Sequence, residues 1–85
     1  MDIHHLVAMA NQIGGFHASL PNRAEALKGT ANHIRRFWDP RMRKALLAHL
    51  DATGGEGLDP LVLESVRANR ADLTPPPARP ADRRA

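Results

Sequence analysis

The sequence has no cysteine and no tyrosine, and its aromatic residues are limited to Phe16, Phe37 and Trp38. Without a thiol, disulfides, thiolate zinc sites, iron–sulfur ligation and cysteine nucleophiles are excluded. With so few rings the core has to be aliphatic, built from Leu, Ile, Val, Met and Ala. Long hydrophobic runs are missing too. The start, MDIHHLVAMANQ, has no basic region ahead of an apolar stretch, and its pattern is amphipathic rather than spanning. A secretory signal and a membrane span are therefore not expected, and a cytoplasmic location is. Nor is there a large excess of one charge: 12 Lys and Arg face 9 Asp and Glu, a net of +3. So small an imbalance is a weak pointer to nucleic acid.

At 85 residues the chain can form one small domain. The end from Thr74, TPPPARPADRRA, is too polar and Pro-rich to bury itself, so residues 74–85 are expected to be a flexible Pro/Arg-rich tail and residues 1–73 the helical domain. A core of about 70 residues supplies only a few kcal/mol without a disulfide, a metal or a partner. The missing staple points to completion by another subunit.

Helical periodicity dominates what remains. Ile3, Leu6, Val7, Ala10, Ile13 and Phe16 recur at intervals of three and four, defining one face of a helix from Asp2, its N-cap, to about His17. Gly14-Gly15 weakens that helix by about 1 kcal/mol per glycine, so it either ends there or continues because a neighbouring backbone packs close, and continuation to about residue 17 is expected. Asn22 with Glu25 three residues on resembles a capping box, opening a second helix to Phe37 with a stripe of Leu27, Ala31, Ile34 and Trp38. Asp39-Pro40 then stops one helix and starts the next, with Asp39 as cap and Pro40 as first residue. Met42, Ala45, Leu46, His49 and Leu50 form the third apolar face, which Gly54-Gly55 ends. Leu58-Asp59-Pro60 repeats the device for a fourth helix, Pro60 to about Ala71, with Leu58 stapled on Leu63. The expected fold is all-α, a small bundle of three to four short helices.

Little in this sequence can carry chemistry. The histidines His4, His5, His17, His33 and His49 form no His-x-x-x-His or Glu-x-x-His pair, and they read as helix-surface or boundary residues, His49 as a hydrogen-bonded one at the core edge. Ser19, Thr30, Thr53, Ser65 and Thr74 stand in no nucleophile-elbow context. Asp39 and Asp59 are accounted for as caps. Gly54-Gly55-Glu56-Gly57 lacks the strand and the Lys-Ser/Thr of a phosphate loop. No metal, cofactor or catalytic residue is expected in this chain.

The concentrated feature is FWDPRMRKALLAHL, Phe37 to Leu50. Arg35, Arg36, Arg41, Arg43 and Lys44 fall within ten positions, opposed by Asp39. Three readings stand: a solvated basic face, a dock for an acidic protein surface, and a small nucleic-acid-binding regulator. Nucleic acid calls for cations along one face beside stacking rings, whereas these flank a turn. Trp and Arg together are the residues enriched at binding hot spots. The expected partner-binding set is Phe37, Trp38, Arg41, Met42 and Arg43, with Trp38 open to a second reading as core and Met42 packing between helices or into the partner.

Three segments, VAMANQIGGF (Val7–Phe16), ANHIRRFWDPRMRKALLAHL (Ala31–Leu50) and GLDPLVLESV (Gly57–Val66), together resemble the delta subunit of soluble NAD-dependent formate dehydrogenase. The resemblance covers residues 3–66, and its middle segment is the most specific. Gly14-Gly15 stands where that family has bulkier or Ala-like residues. The resemblance implies a non-catalytic accessory subunit serving assembly, stability or cofactor maturation of a complex that oxidises formate to carbon dioxide. It further implies an alpha subunit holding molybdenum bis(molybdopterin guanine dinucleotide) and iron–sulfur clusters, and beta and gamma subunits carrying FMN, iron–sulfur clusters and the NAD site.

Overall fold

The computed structural model describes residues 2–76, and these are helical with no strand among them. The helices are α1 (Ile3–His17), α2 (Arg23–Phe37), α3 (Pro40–Thr53), α4 (Pro60–Ala68) and the single turn α5 (Arg70–Leu73). α2 packs against both α1 and α4, while α3 lies on α1. The tail expected from Thr74 lies, beyond Pro76, outside the described residues.

α1 runs unbroken through Gly14-Gly15. The reason sits across the core: a Cβ on Gly14 would run into Cγ2 of Val62, so α1 and α4 approach as closely as they do because residue 14 has none. The core is aliphatic as expected, with Leu6, Ala10, Ile34, Leu46, Val62 and Val66 fully buried and Trp38 joining them. Its buried hydroxyls are satisfied. Thr30 donates to the Ala26 carbonyl (2.9 Å) and Ser65 to the Leu27 carbonyl (2.6 Å), the latter tying α4 to α2. On α2 the fully buried face is Ala26, Thr30, Ala31 and Ile34, while Leu27, expected as the first residue of the inward stripe, is only half-buried. Three of that face's four residues, Ala26, Thr30 and Ala31, are small, and α2 has neighbours on two sides.

The fourth helix is shorter than expected. It ends at Ala68, and Asn69 leaves helical geometry (φ −115°, ψ 24°) while its side chain donates to the Ser65 carbonyl (2.9 Å). The redirected chain forms α5 and puts Leu73 into the core at 1% exposure. Arg70 grips Asp51 on α3 through two hydrogen bonds (2.8 and 2.7 Å). That hydrogen bonding, and then the carboxylate's charge, raise the guanidinium's pKa above its ordinary value.

Candidate functional site: the α2–α3 corner and the face beside it

Only Trp38 and Asp39 link α2 to α3. Trp38 N–H still donates back to the Ile34 carbonyl (3.0 Å), but its backbone is extended (φ −90°, ψ 135°), so the helix stops there. Asp39 is also extended, and its Oδ1 accepts from the N–H groups of Arg41 (2.8 Å) and Met42 (3.1 Å). Two of the free donors at the start of α3 are thereby satisfied. The change of direction at Trp38 sends consecutive aromatic rings opposite ways. Trp38 enters the core at 5% exposure, whereas Phe37 is left 69% exposed.

The five expected partner-binding residues therefore separate. Trp38 belongs to this chain's own core, the second of its two readings, and shapes the corner from inside. Phe37 and Arg41 stand on the surface. Met42 packs on the edge of the core. Arg43 is half-buried, with its Nε shielded from solvent and given no hydrogen-bond partner by the protein. The exposed cations Arg35, Arg36, Arg41 and Lys44 surround this corner, and no ion pair among the described residues involves them or Arg43. With Trp38 internal, the ring best suited to stack on a base is not available for nucleic acid.

The helix spacing of α1 did not disclose what lies beside the corner. Phe16, expected on the inward face, points out and is 73% exposed. Its ring stands edge-on to His17 (centroids 5.2 Å), His17 lies near His33 (6.3 Å), and His33 packs on Phe37 (4.7 Å). A continuous line of rings thus crosses from α1 to α2. The His33–Phe37 spacing of four was visible in the sequence, but the meeting of Phe16 and His17 with them was not, because it depends on which faces of the two helices oppose each other.

Elsewhere the polar groups are occupied locally. His49 Nε2 donates to the Glu56 carbonyl (2.7 Å), as a histidine at the core edge should. Thr53 Oγ1 accepts from the N–H groups of Gly55 (3.2 Å) and Glu56 (2.9 Å), so those loop amides are turned to Thr53 rather than to an incoming phosphate. A groove between α2 and the α4–α5 junction carries both signs of charge, with Glu25 and Asp72 beside Lys28 and Arg35. Among the described residues no three or more His, Cys, Asp or Glu side chains are grouped to hold a metal ion, and no helix is long and apolar enough to cross a membrane.

The family model described as NADH-dependant formate dehydrogenase delta subunit FdsD matches residues 5–66. The chain belongs to the FdsD family. No curated protein and no solved structure matches it. The FdsD match takes in nearly all of α1, the whole of α2 and α3, and α4 as far as Val66. It therefore includes both the corner and the line of rings. α5, which completes the core through Leu73, falls outside it.

Proposed function

We propose that this chain is the non-catalytic delta subunit of an NAD-dependent formate dehydrogenase, working in the cytoplasm in contact with the molybdenum-containing alpha subunit of a complex that also has beta and gamma subunits. Its role is to support assembly, stability or cofactor maturation of the complex that oxidises formate to carbon dioxide. The observation that carries this reading is the family match over residues 5–66. The physical character of the chain supports it: a cysteine-free helical domain whose polar groups are used for caps and helix ties, with a cationic corner facing outward. Molybdopterin, iron–sulfur, FMN and NAD chemistry belongs on this reading to the partner subunits.

The α2–α3 corner serves as a docking element. Phe37 supplies apolar area, and Arg41 and Arg43 make charged hydrogen bonds to acidic or carbonyl groups of the partner. Met42 closes the seam, and Trp38 holds the corner in shape from the core.

The test is co-purification with tagged chain from cells expressing all subunits. The alpha subunit should be retained, and formate dehydrogenase activity should fall when this chain is left out. Arg41→Ala with Arg43→Ala should weaken retention while helical content by circular dichroism stays unchanged. Recovery of the tagged chain without the alpha subunit, beside a fully active complex in its absence, overturns the reading.

A further inference from the structure

We propose that the outer surface shared by α1 and α2, built on Phe16, His17, His33 and Phe37, is an interaction face whose occupant is an acid-rimmed, apolar-tipped surface of a larger protein. The inference rests on the subunit reading above and extends the docking element from the corner onto α1.

Two of this chain's three aromatic residues lie outside its core, at 73% and 69% exposure. Each phenyl ring carries a large apolar area, and joined exposed apolar area on so small a domain marks an interface. One of the four rings, His17, is also held in place. His17 donates from Nδ1 to the Ile13 carbonyl (2.9 Å) and lies against α2 at Gly29, where an added Cβ would stand 2.5 Å from its Cδ2. The bare backbone of Gly29 is what lets the imidazole seat between the helices. His33 then packs on Phe37 one turn along α2. A ring anchored before binding loses little side-chain entropy on binding.

Between Phe16 and His33, over Ile13 and Gln12, is an open apolar depression of about 360 Å³, enough to accept a protruding side chain. Around it α1 has no fixed charge, for there is no Asp, Glu, Lys or Arg from Ile3 to His17. Its exposed side chains His4, His5, Ala8, Gln12 and Phe16 can be covered without burying an obligate ion. An ordinary solvated helix face is charged.

Charge complementarity selects the occupant. Arg36, three positions along α2 from His33, and Arg41 past the corner are exposed cations without ion-pair partners among the described residues. The corner's carboxylate, Asp39, is already engaged by backbone N–H groups. A second copy placed symmetrically on this face would set four exposed cations, Arg35, Arg36, Arg41 and Lys44, against a single corner carboxylate, Asp39, whose Oδ1 is already taken. A partner with carboxylates around an aliphatic or aromatic tip satisfies both the depression and the rim.

The experiment uses the full chain with a photo-crosslinking benzoylphenylalanine in place of Phe16, of Phe37 or, as control, of Arg67 on the exposed side of α4. Each is irradiated with the remaining formate dehydrogenase subunits. Crosslinks to a larger subunit should form from positions 16 and 37 and not from 67. Phe16→Ser with Phe37→Ser, and separately Arg36→Glu with Arg41→Glu, should each bind more than about tenfold more weakly. If the wild-type chain binds but these variants bind equally well and no crosslink forms from 16 or 37, the face is overturned and the subunit reading stands. If the wild-type chain binds none of the subunits, both fall. A position 16 crosslink joining two copies of this chain, with a dimer in sedimentation that the serine variants dissolve, overturns the acidic partner. Should the serine variants lose helical content, the crosslinks alone decide.

Discussion

Asn11 on α1 holds Asp59 at the entrance to α4: its Oδ1 accepts from the Asp59 N–H (2.8 Å), while its Nδ2 donates to the Gly57 carbonyl (2.9 Å). These partners lie 48 and 46 positions along the chain, so one carboxamide fixes the loop that delivers α4 to the core. Asn11→Ala removes both bonds and should destabilise the fold by about 1–3 kcal/mol, read as a lower urea midpoint at unchanged slope. Asn11→Asp keeps the acceptor but sets a carboxylate against a carbonyl, and should fall no higher than the alanine variant. Wild-type midpoints in both would show that the loop is held by something else.

The two Asp-Pro helix starts look alike in sequence and differ in structure. Asp39 accepts two backbone N–H groups, whereas Asp59 occupies the same position in α4 with no side-chain cap hydrogen bond. Asp39→Ala should therefore lower stability by about 1 kcal/mol, and Asp59→Ala by much less. Thermal melts of the pair decide it, and equal losses would contradict the difference.

Gly14 and Gly15 should also respond in opposite directions. Nothing stands within 4 Å of a Cβ at Gly15, so Gly15→Ala should gain about 0.5–1 kcal/mol in helix stability. At Gly14 the same methyl collides with the fully buried, β-branched Val62. Overpacking of this kind costs about 1–3 kcal/mol, which outweighs the propensity gain. The melting temperature should rise for Gly15→Ala and fall for Gly14→Ala, and a rise in both would mean that α1 and α4 do not approach closely at Gly14 and Val62.

Adjacent aromatics at the corner give a third contrast. Trp38→Ala empties a core site and should cost about 3–5 kcal/mol, enough to unfold much of so small a domain. Phe37→Ala removes a ring from solvent and should shift stability by no more than about 0.5 kcal/mol. Urea titration of the isolated chain separates them. A stable Trp38→Ala variant that has lost only its partner would return Trp38 to the interface.

A good deal was legible in advance because it is local. Asp39-Pro40 and Gly54 mark their boundaries through rules that act within one turn: a lost α conformation before proline, and a left-handed residue (φ 76° at Gly54) that only glycine takes without strain. The three-and-four spacing of Leu6, Val7 and Ala10 likewise needs nothing beyond the helix itself. The placement of the candidate docking residues was only half legible. A run such as Phe37-Trp38 announces a concentration of apolar area, but not which ring turns inward, because that depends on the backbone reversal between α2 and α3.

By itself, then, the sequence determined an all-α chain, an aliphatic core, most helix ends and the absence of thiol chemistry, since each follows from residue type and near-neighbour spacing. Tertiary structure alone decided that Leu73 is core, that Phe16 is surface, that Asn11 locks a distant loop and that four rings line up across α1 and α2. Those outcomes depend on which helix faces oppose one another, and that is set by close approaches such as Gly14 to Val62 and His17 to Gly29, between residues far apart along the chain.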